Sequence, residues 1–77
     1  MKKYAIYMAQ CDGKDGYYES HHKTSVGRIV LRLKQNINNA STFPYGVAKS
    51  KANVLKYNVK NSQGKRLIQR YEIIEVK

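Results

Sequence analysis

The sequence predicts a small α+β domain in which an antiparallel sheet of about four strands carries one amphipathic helix on one face. The chain has 77 residues, a length that gives room for one domain with one small core. Segments near both ends have the two-residue periodicity of strands, and a central segment has the apolar spacing of a helix. We therefore expect a single domain over residues 1–77 with the element order β-β-α-β-β.

The first predicted hairpin joins residues 3–10, KYAIYMAQ, to residues 17–24, YYESHHKT. Alternate side chains of the first segment point to opposite faces, and both sets are largely apolar, which is typical of a central strand. The intervening CDGKDG contains two Asp-Gly pairs, a strong signal for a turn. The second segment is therefore predicted to return beside the first.

The predicted helix spans residues 25–38. Its apolar residues recur at i, i+3, i+4, i+7 and i+11, which places them on one stripe: Val26, Ile29, Val30, Leu33 and Ile37. Thr24 or Ser25 is expected to cap its first turn, and Asn38 or Asn39 to end it. Residues 41–52, which include the only proline, are predicted to be a connection.

A second hairpin is predicted from residues 53–60 and 66–76 around the turn NSQGK. A register that pairs Val59 with Leu67 gathers the apolar side chains on one face and leaves the basic ones on the other. Ile74 and Val76 then point the wrong way, so we expect a bulge or added packing near the C-terminus. Apolar side chains left on the second face of the sheet would favour a homodimer: Tyr7, Ile68, Ile74 and Val76.

The charge balance points to a polyanionic partner. Fifteen Lys and Arg residues face five Asp and Glu residues, and residues 20–71 contain no carboxylate. A surface of one sign attracts polyanions at long range, and nucleic acid is the commonest of these. We therefore expect a basic protein that binds nucleic acid, mainly through phosphates and without catalysis. The sequence does not distinguish DNA from RNA, or single strands from duplexes.

The expected binding residues come from three places. Arg28 and Arg32 would be neighbours on the helix, His22 and Lys23 would flank its N-terminus, and the second hairpin would carry a basic face. An ordinary solvated face is the alternative for the two arginines of the helix, and a helix cap that binds no ligand is the alternative for its N-terminus. The nucleic-acid-binding residues predicted from the sequence are Arg28, Arg32, Lys56, Lys60, Lys65, Arg66, Arg70, His22 and Lys23.

The two histidines of YYESHHKT raise the alternative of chemistry. Adjacent His21 and His22 point to opposite faces of a strand and cannot chelate one ion, so neither a metal site nor a cofactor is predicted. Glu19 and His21 would share a strand face with Tyr17 and Lys23. A general acid–base residue beside a carboxylate and a cation suits a small toxin-like ribonuclease, which is one alternative function.

Another alternative is an inhibitor or accessory protein of a phage or mobile element. Such a protein would use the same basic face to bind a nucleoprotein complex that processes nucleic acid or serves defence. Cys11 is the only cysteine, so no internal disulfide is expected. No segment has the length and apolarity of a membrane span or a signal peptide, so we expect a cytoplasmic protein with no membrane partner.

Overall fold

The chain forms one antiparallel four-stranded sheet with one α-helix, which confirms the predicted α+β class. The computed structural model describes residues 2–77. Its elements are β1 (Lys3–Gln10), β2 (Gly16–Lys23), β3 (Ile29–Lys34), a short 3-10 helix (Ile37–Asn39), α1 (Tyr45–Asn58) and β4 (Ile68–Val76). The strands lie side by side in the order β3-β2-β1-β4. The predicted order β-β-α-β-β was wrong, because three strands precede the helix.

The predicted helix over residues 25–38 is instead a turn followed by β3. The Thr24 N–H donates to the Arg28 carbonyl at 2.8 Å, and the Thr24 hydroxyl accepts from the Arg28 N–H, so Thr24 closes a hairpin and does not cap a helix. Gly27, at a φ of 81°, makes this turn with a left-handed backbone that glycine adopts without strain. Val26, which the helical stripe had placed in the core, is 85% exposed.

The helix lies where a connection and a strand were predicted, over residues 41–52 and 53–60. Four buried residues recur at i, i+4, i+7 and i+11 and form its inner stripe: Ala48, Ala52, Leu55 and Val59, the last of these immediately after α1. Pro44 stands directly before the first turn, where its missing N–H costs no helical hydrogen bond. Two alanines in the stripe allow the helix to approach the sheet closely.

The predicted second hairpin is present only at its turn. Lys60 and Arg66 form an isolated antiparallel bridge, and the Leu67 N–H donates to the Val59 carbonyl at 3.1 Å, in agreement with the predicted register. The residues that precede Val59 form helix α1 and not the predicted strand. β4 pairs with β1 instead, with Ile6 opposite Ile73.

The strand β1 is central, as predicted, and both of its faces carry buried side chains. Ile6 and Met8 are buried beneath the helix with Ile68, while Ala5 and Ala9 are buried on the opposite face. The predicted assignment of Ile68 to the second face was therefore wrong. The bulge expected near the C-terminus lies instead where β4 begins, at the register shift between Ala9 and Gln10 of β1.

The strands β2 and β3 extend away from the rest of the sheet as an arm, defined here as residues 20–32. The β1–β2 register covers only Tyr7 with Tyr17 and Met8 with Gly16. Beyond it, residues 41–43 take the place of β2 beside β1: Tyr4 and Phe43 exchange two backbone hydrogen bonds, of 2.8 and 2.9 Å. The inserted segment separates the distal half of β2 from β1. The molecule has extents of 39 × 21 × 19 Å.

Gly16 is required where β2 packs against β3, and this gives a test of the strand arrangement. A Cβ at this position would lie 2.9 Å from the Leu33 Cβ and 3.1 Å from the Lys34 carbonyl oxygen. Because neither atom belongs to a flexible side-chain end, Gly16→Ala should lower the free energy of unfolding by about 1–3 kcal/mol, measured by urea denaturation.

Gly46 provides the matched control. A Cβ at this helical position meets no atom within 4 Å. Gly46→Ala should therefore leave the free energy of unfolding unchanged or raise it by up to about 1 kcal/mol, because alanine favours the helix. Equal unfolding midpoints for the two variants would contradict the packing of β2 against β3.

Candidate nucleic-acid interface

A groove separates the arm from the helix on the helix side of the sheet. It arises because α1 packs mainly over β1 and β4 and leaves the distal part of β2 and β3 uncovered. The groove has a volume of about 1110 Å³. Its lining includes His21, Lys23 and Ile29 from the arm and Val47, Lys51 and Val54 from the helix. We call it the arm–helix groove.

The groove continues past the end of the helix into a smaller hollow of about 320 Å³. Gly27, Ile29 and Asn58 line both spaces, so the two are contiguous. Arg28 and Lys60 line the hollow, together with polar groups of the following turn. Cations from the arm and from the chain after the helix therefore extend the basic lining of the groove.

A β-bulge at Glu19 decides which side chains of the arm face the groove. Tyr18 pairs with Leu33 but Ser20 pairs with Arg32, so one residue of β2 is left over between them. The extra residue reverses the alternation, and His21 thus lies on the same side as Tyr18. The predicted common face of His21 with Glu19 and Tyr17 was wrong for this reason.

The two histidines lie on opposite faces, as predicted. His21 pairs with Leu31 on the groove side, and His22 pairs with Val30 on the sheet face away from the helix. The His21 Nδ1 is 2.6 Å from the hydroxyl oxygen of Tyr18. When the tyrosine donates this bond, the ring proton of a neutral histidine is on Nε2. Tyr18 therefore fixes the orientation of the one histidine that lines the groove.

Lys51 is held at the groove by two aromatic rings. Its Nζ is 5.5 Å from the ring centroid of Phe43 and 5.9 Å from that of Tyr18. The ring faces attract the ammonium group and restrict its position without neutralising its charge. Lys51 therefore presents an oriented cation opposite Lys23 on the arm.

The ion pairs formed among residues 2–77 lie on the sheet face away from the helix. Glu19 contacts Lys34 at 3.1 Å and Arg32 at 3.9 Å, and Arg70 contacts Glu72 at 3.4 Å. No carboxylate lines the arm–helix groove or its continuation. Within residues 2–77, the cations that line these spaces form no ion pair: Lys23, Arg28, Lys51 and Lys60. No ion pair therefore neutralises these four cations, although Asp12 lines a neighbouring hollow together with Arg28 and Lys60.

The structure brings together only part of the predicted binding set. Lys23, Arg28 and Lys60 line the groove or its continuation. Arg32 and Arg70 are instead on the opposite sheet face, each beside a glutamate. His22 shares that face. These residues form a second group, separate from the groove.

The remaining predicted residues lie around the C-terminal end of the helix and the following turn. The Lys56 ammonium is 5.9 Å from the centroid of the Tyr71 ring, and the Arg66 guanidinium lies 4.3 Å above the centroid of the Tyr57 ring. Lys65 is exposed in the turn. Lys56 and Arg66 thus pack on tyrosines outside the groove.

Sequence reasoning missed Lys51 and His21 as groove residues. Lys51 was assigned to a connection, although the spacing of Ala48, Ala52 and Leu55 signals the helix that positions it. His21 was placed by regular alternation, and the sequence contains no clear signal of the bulge at Glu19.

Residues 2–77 contain no group of three or more His, Cys, Asp or Glu side chains that could hold a metal ion. In the same described range, no helix has both the length and the apolar character needed to cross a bilayer. Comparison of the chain with protein-family models, curated proteins and solved structures found no match. The groove itself is therefore the basis for a functional hypothesis.

The buried side chain of Tyr18, which contacts His21 and Lys51 beside the groove, gives a test of their placement. Burial raises the pKa of Tyr18 above its ordinary value. The folded state therefore holds this proton more tightly than the unfolded chain does. The resulting stability is complete below about pH 10 and is lost as the pH rises through the higher folded-state pKa.

Absorbance titration of tyrosine ionisation should show a late component in the folded protein, which is the set of tyrosines that ionise at a higher pH than the tyrosines of the chain unfolded in urea. Partial burial and the Asp15 carboxylate also raise the pKa of Tyr7, whose hydroxyl donates to Asp15 at 3.2 Å. Tyr18→Phe should therefore reduce the late component without abolishing it. An undiminished late component in this variant would contradict the burial of the Tyr18 hydroxyl.

Proposed function

We propose that this protein binds nucleic acid through its phosphates, without catalysis, and that the arm–helix groove and its continuation are the binding surface. The observation that carries the proposal is the unpaired basic lining: Lys23, Arg28, Lys51 and Lys60 line these two spaces without forming an ion pair, although Asp12 lines a neighbouring hollow with Arg28 and Lys60. Cations whose charge is uncompensated release counterions from a phosphate backbone and gain affinity from doing so.

The placement of these cations suits an extended anion better than a small one. Lys23 and Lys51 stand on opposite walls, and Arg28 and Lys60 lie further along, past Asn58. Four cations distributed along two contiguous spaces match a chain of phosphates. Helix α1 adds to the local potential because residues 45–58 contain lysines and no carboxylate.

Binding without turnover is favoured by the surroundings of His21. Acid–base catalysis most often uses histidine or a carboxylate, and among the described residues His21 is the one such side chain that lines the groove. His22 lies on the opposite face of the arm, and no carboxylate lines the groove. Labelled RNA should therefore stay intact with the protein from about pH 5 to 8. Cleavage that is lost in His21→Ala would contradict this part of the proposal.

Salt dependence is the principal test. With four cations in contact with phosphates, affinity for an oligonucleotide should fall about 50-fold or more between about 50 and 200 mM salt. Replacing Lys23 and Lys51 together by glutamine should weaken binding and lower the slope of log affinity against log salt by roughly one for each lysine. Fluorescence anisotropy measures both quantities.

A variant with the same change in net charge isolates the groove from the overall charge. Lys3 lies on the sheet face away from the helix, and Lys77 follows β4. Replacing these two lysines by glutamine should alter the slope much less than the groove variant does. Equal effects of the two double variants would contradict the groove as the binding surface, and absent or salt-independent binding would contradict nucleic-acid binding itself.

A further inference from the structure

We infer that the arm–helix groove takes a single strand of nucleic acid, with unpaired bases against an apolar floor and phosphates on the basic rim. The inference rests on the proposed function and specifies its substrate. It draws on the apolar lining of the groove, which phosphate contacts alone leave unexplained.

The floor and one wall of the groove are apolar. Ile29 and Leu55 line its base, and Val47 and Val54 line the helix wall with 50% and 57% of their surface exposed. Phosphates gain nothing from such side chains, whereas the faces of unpaired bases do, because contact removes apolar surface of both partners from water. An occupant with an anionic backbone and exposed flat bases complements both parts of the lining.

The recessed position of the floor argues against a duplex. The groove lies between two projecting elements, the arm and the helix. A duplex keeps its bases stacked inside and presents a convex phosphate surface, so it would rest on the rim and leave the apolar floor uncovered. A single strand is narrow enough to enter, and its bases are free to turn toward the floor.

The outer face of the arm also argues against insertion into a duplex groove. A hairpin inserted in this way would bring its outer side chains close to phosphates on both strands. On that face, Arg32 lies 3.9 Å from Glu19, which also contacts Lys34 at 3.1 Å. The carboxylate lowers the positive potential of the outer face. The inner face has no such carboxylate.

Fluorescence anisotropy with the full chain provides the experiment. The probes are a labelled oligodeoxythymidine of about 12 nucleotides, an oligouridine of the same length and a blunt duplex of the same length. Both single strands should bind at least about tenfold more tightly than the duplex at equal salt. Replacing Val47 and Val54 together by serine should weaken single-strand binding about tenfold and leave the salt slope unchanged.

Val26→Ser is the matched control, because Val26 is 85% exposed at the tip of the arm and does not line the groove. This variant should bind the single strands as the parent does. Duplex binding as tight as single-strand binding, with a steep salt slope, would overturn this inference and leave the proposed function standing. Unchanged single-strand affinity of the double serine variant, confirmed as folded by circular dichroism, would also overturn it. Absence of salt-dependent binding to all three probes would overturn both.

Discussion

The insertion of residues 41–43 between β1 and β2 is the constraint on which the rest of the fold depends. The paired hydrogen bonds between Tyr4 and Phe43 satisfy the backbone of β1 where β2 has left it. Ser41 secures the other side, since its hydroxyl donates to the Glu19 carbonyl at 2.6 Å, at the bulge. The segment leads through Pro44 into α1 and so fixes the helix beside the diverging arm. The groove is the space that the insertion of residues 41–43 leaves between the arm and the helix.

The small core explains why that space is not filled. Two of the core residues that the helix contributes are alanines, which permit close contact with β1 and β4 but supply little volume. A single helix of 14 residues cannot also cover β2 and β3. Ile29 and Leu31 are therefore only half-buried. A domain of this size thus obtains a concave surface from incomplete coverage of its sheet, without any dedicated loop.

The fold class, the strand β1 and the register of the turn around Gly64 could be predicted from the sequence, because they follow from local alternation and turn residues. Sequence reasoning misplaced the helix because Ile29, Val30 and Leu33 satisfy both a helical stripe and a strand, whereas the alanines of the true stripe are weak hydrophobic signals. The acid-free stretch pointed to a basic surface. Its location was not predictable, because Lys51 depends on the helix position and His21 on a bulge tied to the distant Ser41.

The ion pairs of residues 2–77 all lie on one sheet face, so the positive potential is distributed unevenly over the molecule. Glu19 and Glu72 reduce the positive potential on one side, while the arm–helix groove on the other side has no carboxylate in its lining. In the field of a polyanion the protein experiences a torque as well as an attraction, and it rotates during approach so that its more positive side leads. Such pre-orientation raises the fraction of encounters that are productive, most of all at low ionic strength, where the screening length approaches the size of the protein.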